Sequence, residues 1–182
     1  MSIDDKLLNI HFYQQLFRKT IFPIVSVLLV GMLYVVLMSF IDHRAFPMDY
    51  LILVFALVKT VILALTTLNQ LARLIRICHS VERLLWVFGL LIGLSIFSFA
   101  TDFTCLYQFD FNAFEGVSTQ SATYVYHLFH FFYFSVITFS TVGYGDIVPV
   151  SMVARMLSVM EIFLSFFIVV FALANIKKVH IK

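Results

Sequence analysis

Residues 124–149 read YVYHLFHFFYFSVITFSTVGYGDIVP. An apolar, aromatic-rich run from Tyr124 to Phe139 gives way to Ser140-Thr141-Val142-Gly143-Tyr144-Gly145-Asp146 and then to Pro149. The run is shorter than the about 20 apolar residues that a helix needs to cross a bilayer. The stretch therefore predicts a short helix that enters the apolar phase and turns back. Its irregular half has to be shielded by protein or line water, because unpaired backbone groups are not tolerated in hydrocarbon.

The surrounding sequence supplies that apolar phase. Hydrophobic residues make up 62% of the 182-residue chain and charged residues 12%, against about a quarter charged in an ordinary soluble domain. Lipid is the expected main solvent. Four stretches are long enough to span: 20–41; 50–68, interrupted by Lys59; 84–107, with Asp102 near its end; and 151–176, containing Arg155 and Glu161. The first run exceeds 20 residues and has no small-residue cleavage site after it, so no signal peptide is expected. The net charge of +2 is too small and scattered to suggest nucleic acid as a partner.

Basic residues orient the spans. Lys6, Arg18 and Lys19 precede the first span; Arg73, Arg76 and Arg83 lie between the second and third; Lys177, Lys178 and Lys182 follow the fourth. These nine share one side, whereas the other carries only Arg44 and Arg155, together with Asp42, Asp49, Asp102, Asp110, Glu115 and Asp146. Both termini are expected to be cytoplasmic in a multi-pass cell-membrane protein. The acidic outer face concentrates cations. Cys78 and Cys105 fall on opposite sides and are not expected to bridge within the chain; Cys105 either pairs between chains or is a buried thiol. The organisation expected is an N-terminal segment, 1–19, lying on the inner leaflet as an interfacial helix or trailing free; two peripheral spans and a basic linker, 20–83; a module of two spans and the re-entrant segment, 84–178; and a short tail, 179–182.

Thr138-Phe139-Ser140-Thr141-Val142-Gly143-Tyr144-Gly145-Asp146 closely resembles the signature of the potassium channel family. The resemblance runs from about His130 to the end of the fourth span. With two helices ahead of it, the chain looks like a small prokaryotic potassium channel with an N-terminal addition. The resemblance implies an all-α membrane protein with four transmembrane helices, a pore helix and filter between the third and fourth, and four identical copies around one axis. The TVGYG loop is the known carbonyl filter of such channels, so the mechanism is theirs: backbone oxygens replace the water shell of potassium. Here those oxygens would be the carbonyls of Thr141, Val142, Gly143 and Tyr144 with the Thr141 hydroxyl. The glycines admit backbone angles closed to other residues, so that successive carbonyls face inward. Potassium ions are the permeant species; no organic cofactor and no catalysis are implied.

The resemblance also ranks the neighbours. Ser140, Gly145 and Asp146 flank the carbonyl run as filter support, with Asp146 at the outer mouth. Tyr133 and Phe134 stand where relatives place an aromatic cuff. Ile137 replaces a glutamate that, in some members, braces the aspartate behind the filter; we expect the Tyr133 hydroxyl to take over that brace. Glu161 matches a glutamate of some small channels and is a candidate for bracing the pore helix or attracting ions, since an intramembrane carboxylate is costly unless it has a role. Lys59 either snorkels to the boundary or pairs with Glu161. Ser165 stands where many relatives have a hinge glycine, and serine can bend a helix by bonding back to its backbone. His127 and His130 share a helix face and are candidates for sensing external pH. Arg73, Arg76 and Arg83 resemble a voltage-sensor repeat, but two helices ahead of the pore are too few, and a positive-inside flank explains them. Two other readings stay open: a weakly selective cation channel, disfavoured by the intact Tyr144, and a non-conducting regulatory subunit, disfavoured by the intact filter. A transporter fits less well, because neither repeated halves nor broken helices are apparent.

Overall fold

The computed structural model describes residues 48–77, 81–117 and 123–179, together with Val25. The expected interfacial segment, the span at 20–41 and Cys78 lie outside these residues. Four helices dominate: α1 (Met48–Ile77), α2 (Val81–Phe109), α3 (Tyr124–Phe139) and α4 (Met152–Val179). Three are long and apolar enough to cross a membrane, over Tyr50–Leu68, Phe88–Phe109 and Met152–Ala174. Between α2 and α3 comes a 3-10 turn, Phe111–Ala113, and a two-residue strand β1 (Phe114–Glu115); β2 (Val148–Pro149) precedes α4. The fold is all-α, as expected, with a small strand pair that the loop sequence did not announce.

In α1 the buried positions are Ile52, Ala56, Lys59, Leu63 and Thr67, three to four residues apart. They form one stripe of helical period. The opposite side, Val54, Leu57, Val58, Val61 and Leu65, is exposed and wholly apolar. A soluble helix has the reverse arrangement; this one turns its polar residues inward and its aliphatic side outward. α4 does the same, burying Ala154, Leu157, Ser158, Glu161, Ser165 and Ile168 while exposing Phe163, Phe166 and Val170.

The C-terminal half of α2 is enclosed by the other helices and by the loop after it, and from Asp102 to Tyr107 every residue is buried. Its rings seat α3. Phe103 lies edge-on to Phe134 at 5.0 Å and to Phe114 at 5.7 Å; Phe114 lies edge-on to Phe131 at 4.8 Å. Each such pair adds about 0.5–1.5 kcal/mol beyond area burial. The short re-entrant helix is therefore held by an aromatic core. Helix α2 also runs past 107 to Phe109, which puts Asp102 inside the helix and buries it at 3% exposure. Its expected place on the acidic outer face is thereby corrected.

Candidate functional site

Helix α3 ends at Phe139, and Thr141 is the only described non-glycine residue with positive φ, at 59°. That left-handed turn stops the helix. Two donors then converge on one carbonyl left over at the helix end: Val142 N and Gly143 N lie 2.9 and 3.2 Å from Ile137 O. The Ser140 hydroxyl donates to Val136 O at 2.7 Å. Gly143 and Gly145 continue with φ of 53° and 79°. Nothing stands within 4 Å of a Cβ built on either glycine, so backbone conformation, not crowding, accounts for glycine here. All residues from Thr141 to Asp146 are exposed, Val142 at 53% and Tyr144 at 73%. An exposed run of carbonyls beyond the negative end of a helix dipole presents oxygen ligands to cations.

The C-terminal end of this run is clasped. β1 pairs antiparallel with β2, Phe114 opposite Pro149 and Glu115 opposite Val148. The Val150 and Ser151 amides reach the Ala113 carbonyl at 2.8 and 3.2 Å. Gly116, at φ 87°, lies so close that an added Cβ would sit 1.8 Å from the Asp146 carbonyl oxygen. No sequence pattern pointed to Gly116, because its partner is thirty positions away in the chain. On the other side, interaction with the Asp146 carboxylate, aided by burial, holds the Tyr133 hydroxyl above the usual tyrosine range. The hydroxyl thus keeps its proton and can donate. Phe134 is packed in the aromatic core against Phe103 and Phe114.

Behind α3 lies a polar cluster buried among the helices. Lys59 does not pair with Glu161 and does not snorkel. It is 3% exposed, forms an ion pair with Asp102, and also donates to the Ser98 carbonyl at 3.4 Å. An ammonium in mid-span has no water to reach, so a carboxylate one helix away is its best partner. Glu161, fully buried, meets the Ser135 hydroxyl of α3 instead. The Ser165 hydroxyl donates to Ile162 O of its own helix at 2.9 Å, and α4 runs unbroken through this position. His127 is buried, its Nδ1 3.0 Å from Gln108 Nε2 and its ring edge-on to Tyr107. His130 packs against Tyr126, the rings tilted at 56° with centroids 4.4 Å apart. Cys105 is buried and its thiol contacts Tyr124, as expected of an enclosed thiol.

Comparison with known proteins addresses the same half of the chain. A family profile described as "Ion channel" matches residues 85–182, more than half of the chain. Two-pore potassium channel 4 of Arabidopsis thaliana is similar, 35% identical over 80 residues. That stretch is 44% of this chain and 26% of the plant protein, so the match spans about a quarter of that relative's length. No solved structure matches the chain.

Proposed function

The chain belongs to the ion channel family, and from that premise we propose that it is one subunit of a homotetrameric channel passing potassium selectively and passively across the cell membrane, with both termini in the cytoplasm. Family membership gives it a non-enzymatic transport role in a membrane. The observation that carries the finer reading is the run 141–146. It follows a re-entrant helix too short to span, alternates glycines of positive φ with Val142 and Tyr144, and is open to its surroundings in the single chain.

One such strand cannot ring an ion. Four around an axis provide stacked cages of carbonyls from Thr141, Val142, Gly143 and Tyr144. Neighbouring copies then enclose the Tyr144 side chain. Potassium is favoured over a broader cation range by the intact Tyr144 and by similarity to a protein named as a potassium channel. An intact filter speaks for conduction rather than a purely regulatory role. In liposomes, the purified protein is expected to pass potassium and exclude sodium, with Tyr144→Asp losing the distinction. Equal flux of both ions through the unaltered protein overturns the selectivity.

Tyr133 provides a second test. A hydrogen bond from its hydroxyl to the Asp146 carboxylate, the group that acts on it most strongly, would tie the outer end of the filter to α3. Tyr133→Phe keeps the ring and removes the bond, so conduction is expected to decay faster during sustained opening. An unaltered time course counts against the brace.

A further inference from the structure

The Ser135 hydroxyl touches two acceptors at once. Its Oγ lies 2.9 Å from the Ile96 carbonyl oxygen of α2 and in hydrogen-bond contact with Glu161 Oε1 of α4. A hydroxyl carries one proton and can accept through its lone pairs. The Ile96 carbonyl can only accept. Were Glu161 ionised, two acceptors would compete for one proton, and one close oxygen–oxygen contact would stand without hydrogen. Both contacts are satisfied in one arrangement: Ser135 donates to Ile96 O, and a protonated Glu161 donates to Ser135 Oγ.

From this donor count we infer that Glu161 is held as a neutral carboxylic acid and acts as a positioning residue, latching the pore helix between the outer and inner helices. Its surroundings agree. Glu161 Oε2 is buried with no hydrogen-bond partner among the described residues. A neutral carbonyl-like oxygen can be left so at modest cost, whereas half of a carboxylate cannot. The one buried cation among the described residues, Lys59 on α1, is engaged by Asp102 on α2. From α3 the group facing Glu161 is Ser135, which is uncharged. On α4 itself, Arg155 is exposed and donates to Pro149 O at 3.3 Å. The chain Glu161–Ser135–Ile96 thus joins α4, α3 and α2 through one proton each, just behind the helix that carries the filter. A movement of α4 that withdraws Glu161 leaves Ser135 without its donor and loosens the seat of α3.

The inference rests on the channel reading for its consequence but not for its test. Infrared spectra of the reconstituted full chain near neutral pH are expected to contain a protonated-carboxyl band that disappears in Glu161→Gln and shifts in Ser135→Ala, where the acceptor is gone. Glu161→Gln, which keeps the shape and offers an amide donor to Ser135, is expected to retain ion flux, while Glu161→Ala loses most of it. Absence of a band sensitive to either substitution, or a Glu161→Gln protein that assembles and loses flux as Glu161→Ala does, overturns the inference. Should Glu161→Gln fail to assemble, the Ser135→Ala shift alone decides. The band is indifferent to which ion passes: present with unselective flux, it leaves the latch standing and sinks the potassium reading; absent with selective flux, it does the reverse.

Discussion

For a tetrameric potassium filter of the kind proposed, Gly116→Ala is expected to abolish selectivity while leaving assembly intact. At this position the new Cβ would stand 1.8 Å from the Asp146 carbonyl oxygen and 2.9 Å from its carbonyl carbon, and both are backbone atoms. No rotamer can relieve a clash between a Cβ and a main chain, so one segment has to move. The loop side is tied by the strand pair and by Val150 and Ser151 to the Ala113 carbonyl. The filter side, exposed from Thr141 to Asp146, is the softer partner. The positive φ of 87° adds about 1–2 kcal/mol for any L side chain. The displacement needed to restore contact exceeds what a ring of ion-coordinating carbonyls absorbs without changing its cages.

Helix packing does not depend on this contact, since the atoms an added Cβ meets first belong to Asp146 and Ile147 and not to the aromatic core of Phe103, Phe114, Phe131 and Phe134. Size-exclusion profiles should therefore resemble those of the unaltered protein, and the potassium-to-sodium flux ratio should collapse. Gly116→Asn separates the two causes. Asparagine tolerates left-handed φ but still brings a Cβ, so damage equal to that of alanine marks the clash, and recovery marks the backbone angle. Glu115→Ala, one residue away and exposed, should change little. A Gly116→Ala protein with an unaltered flux ratio removes the clasp from any account of the filter.

The contrast between Tyr144 and Gly116 shows where the sequence was legible. The re-entrant segment could be read because length and composition alone settle it: Tyr124–Phe139 is too short to span, and a proline and two glycines follow. The family signature then assigned roles to positions that neighbour each other in the chain. Gly116 matters through a partner thirty residues on, and nothing in local pattern names that partner. Asp102 failed for a related reason. Counted as the end of an apolar run it looked like an outer-face charge, but the helix goes on to Phe109, and boundaries are what periodicity reads worst. Lys59 was legible as a buried charge and illegible as to its partner, because helical period gives the face of a residue and not the neighbouring helix it meets.

That neighbour makes Lys59 and Asp102 the pair whose disruption should cost the most stability. Lys59→Met leaves Asp102 buried and unpaired; Asp102→Leu leaves an ammonium in the same condition. Removing one partner of a buried pair typically destabilises by about 3–5 kcal/mol, and a lone charge at a helix centre in lipid costs about 2.5–3.5 kcal/mol on insertion scales. Either single substitution is therefore expected to lower the thermal midpoint of the detergent-solubilised protein sharply. Lys59→Met with Asp102→Leu removes both charges and should recover most of the loss, since an apolar pair of similar volume replaces an ion pair at little net cost. The difference between the double variant and the sum of the singles measures the coupling directly. Additive losses would mean that the two side chains act independently, and the pairing would have to be given up. The coupling also bears on α1 as a whole. Lys59 lies outside the stretch that matches the ion channel family, residues 85–182, and Asp102 lies inside it. A strong coupling makes α1 an integral wall of the conducting module, fastened by charge at mid-membrane rather than resting on it through aliphatic contact alone.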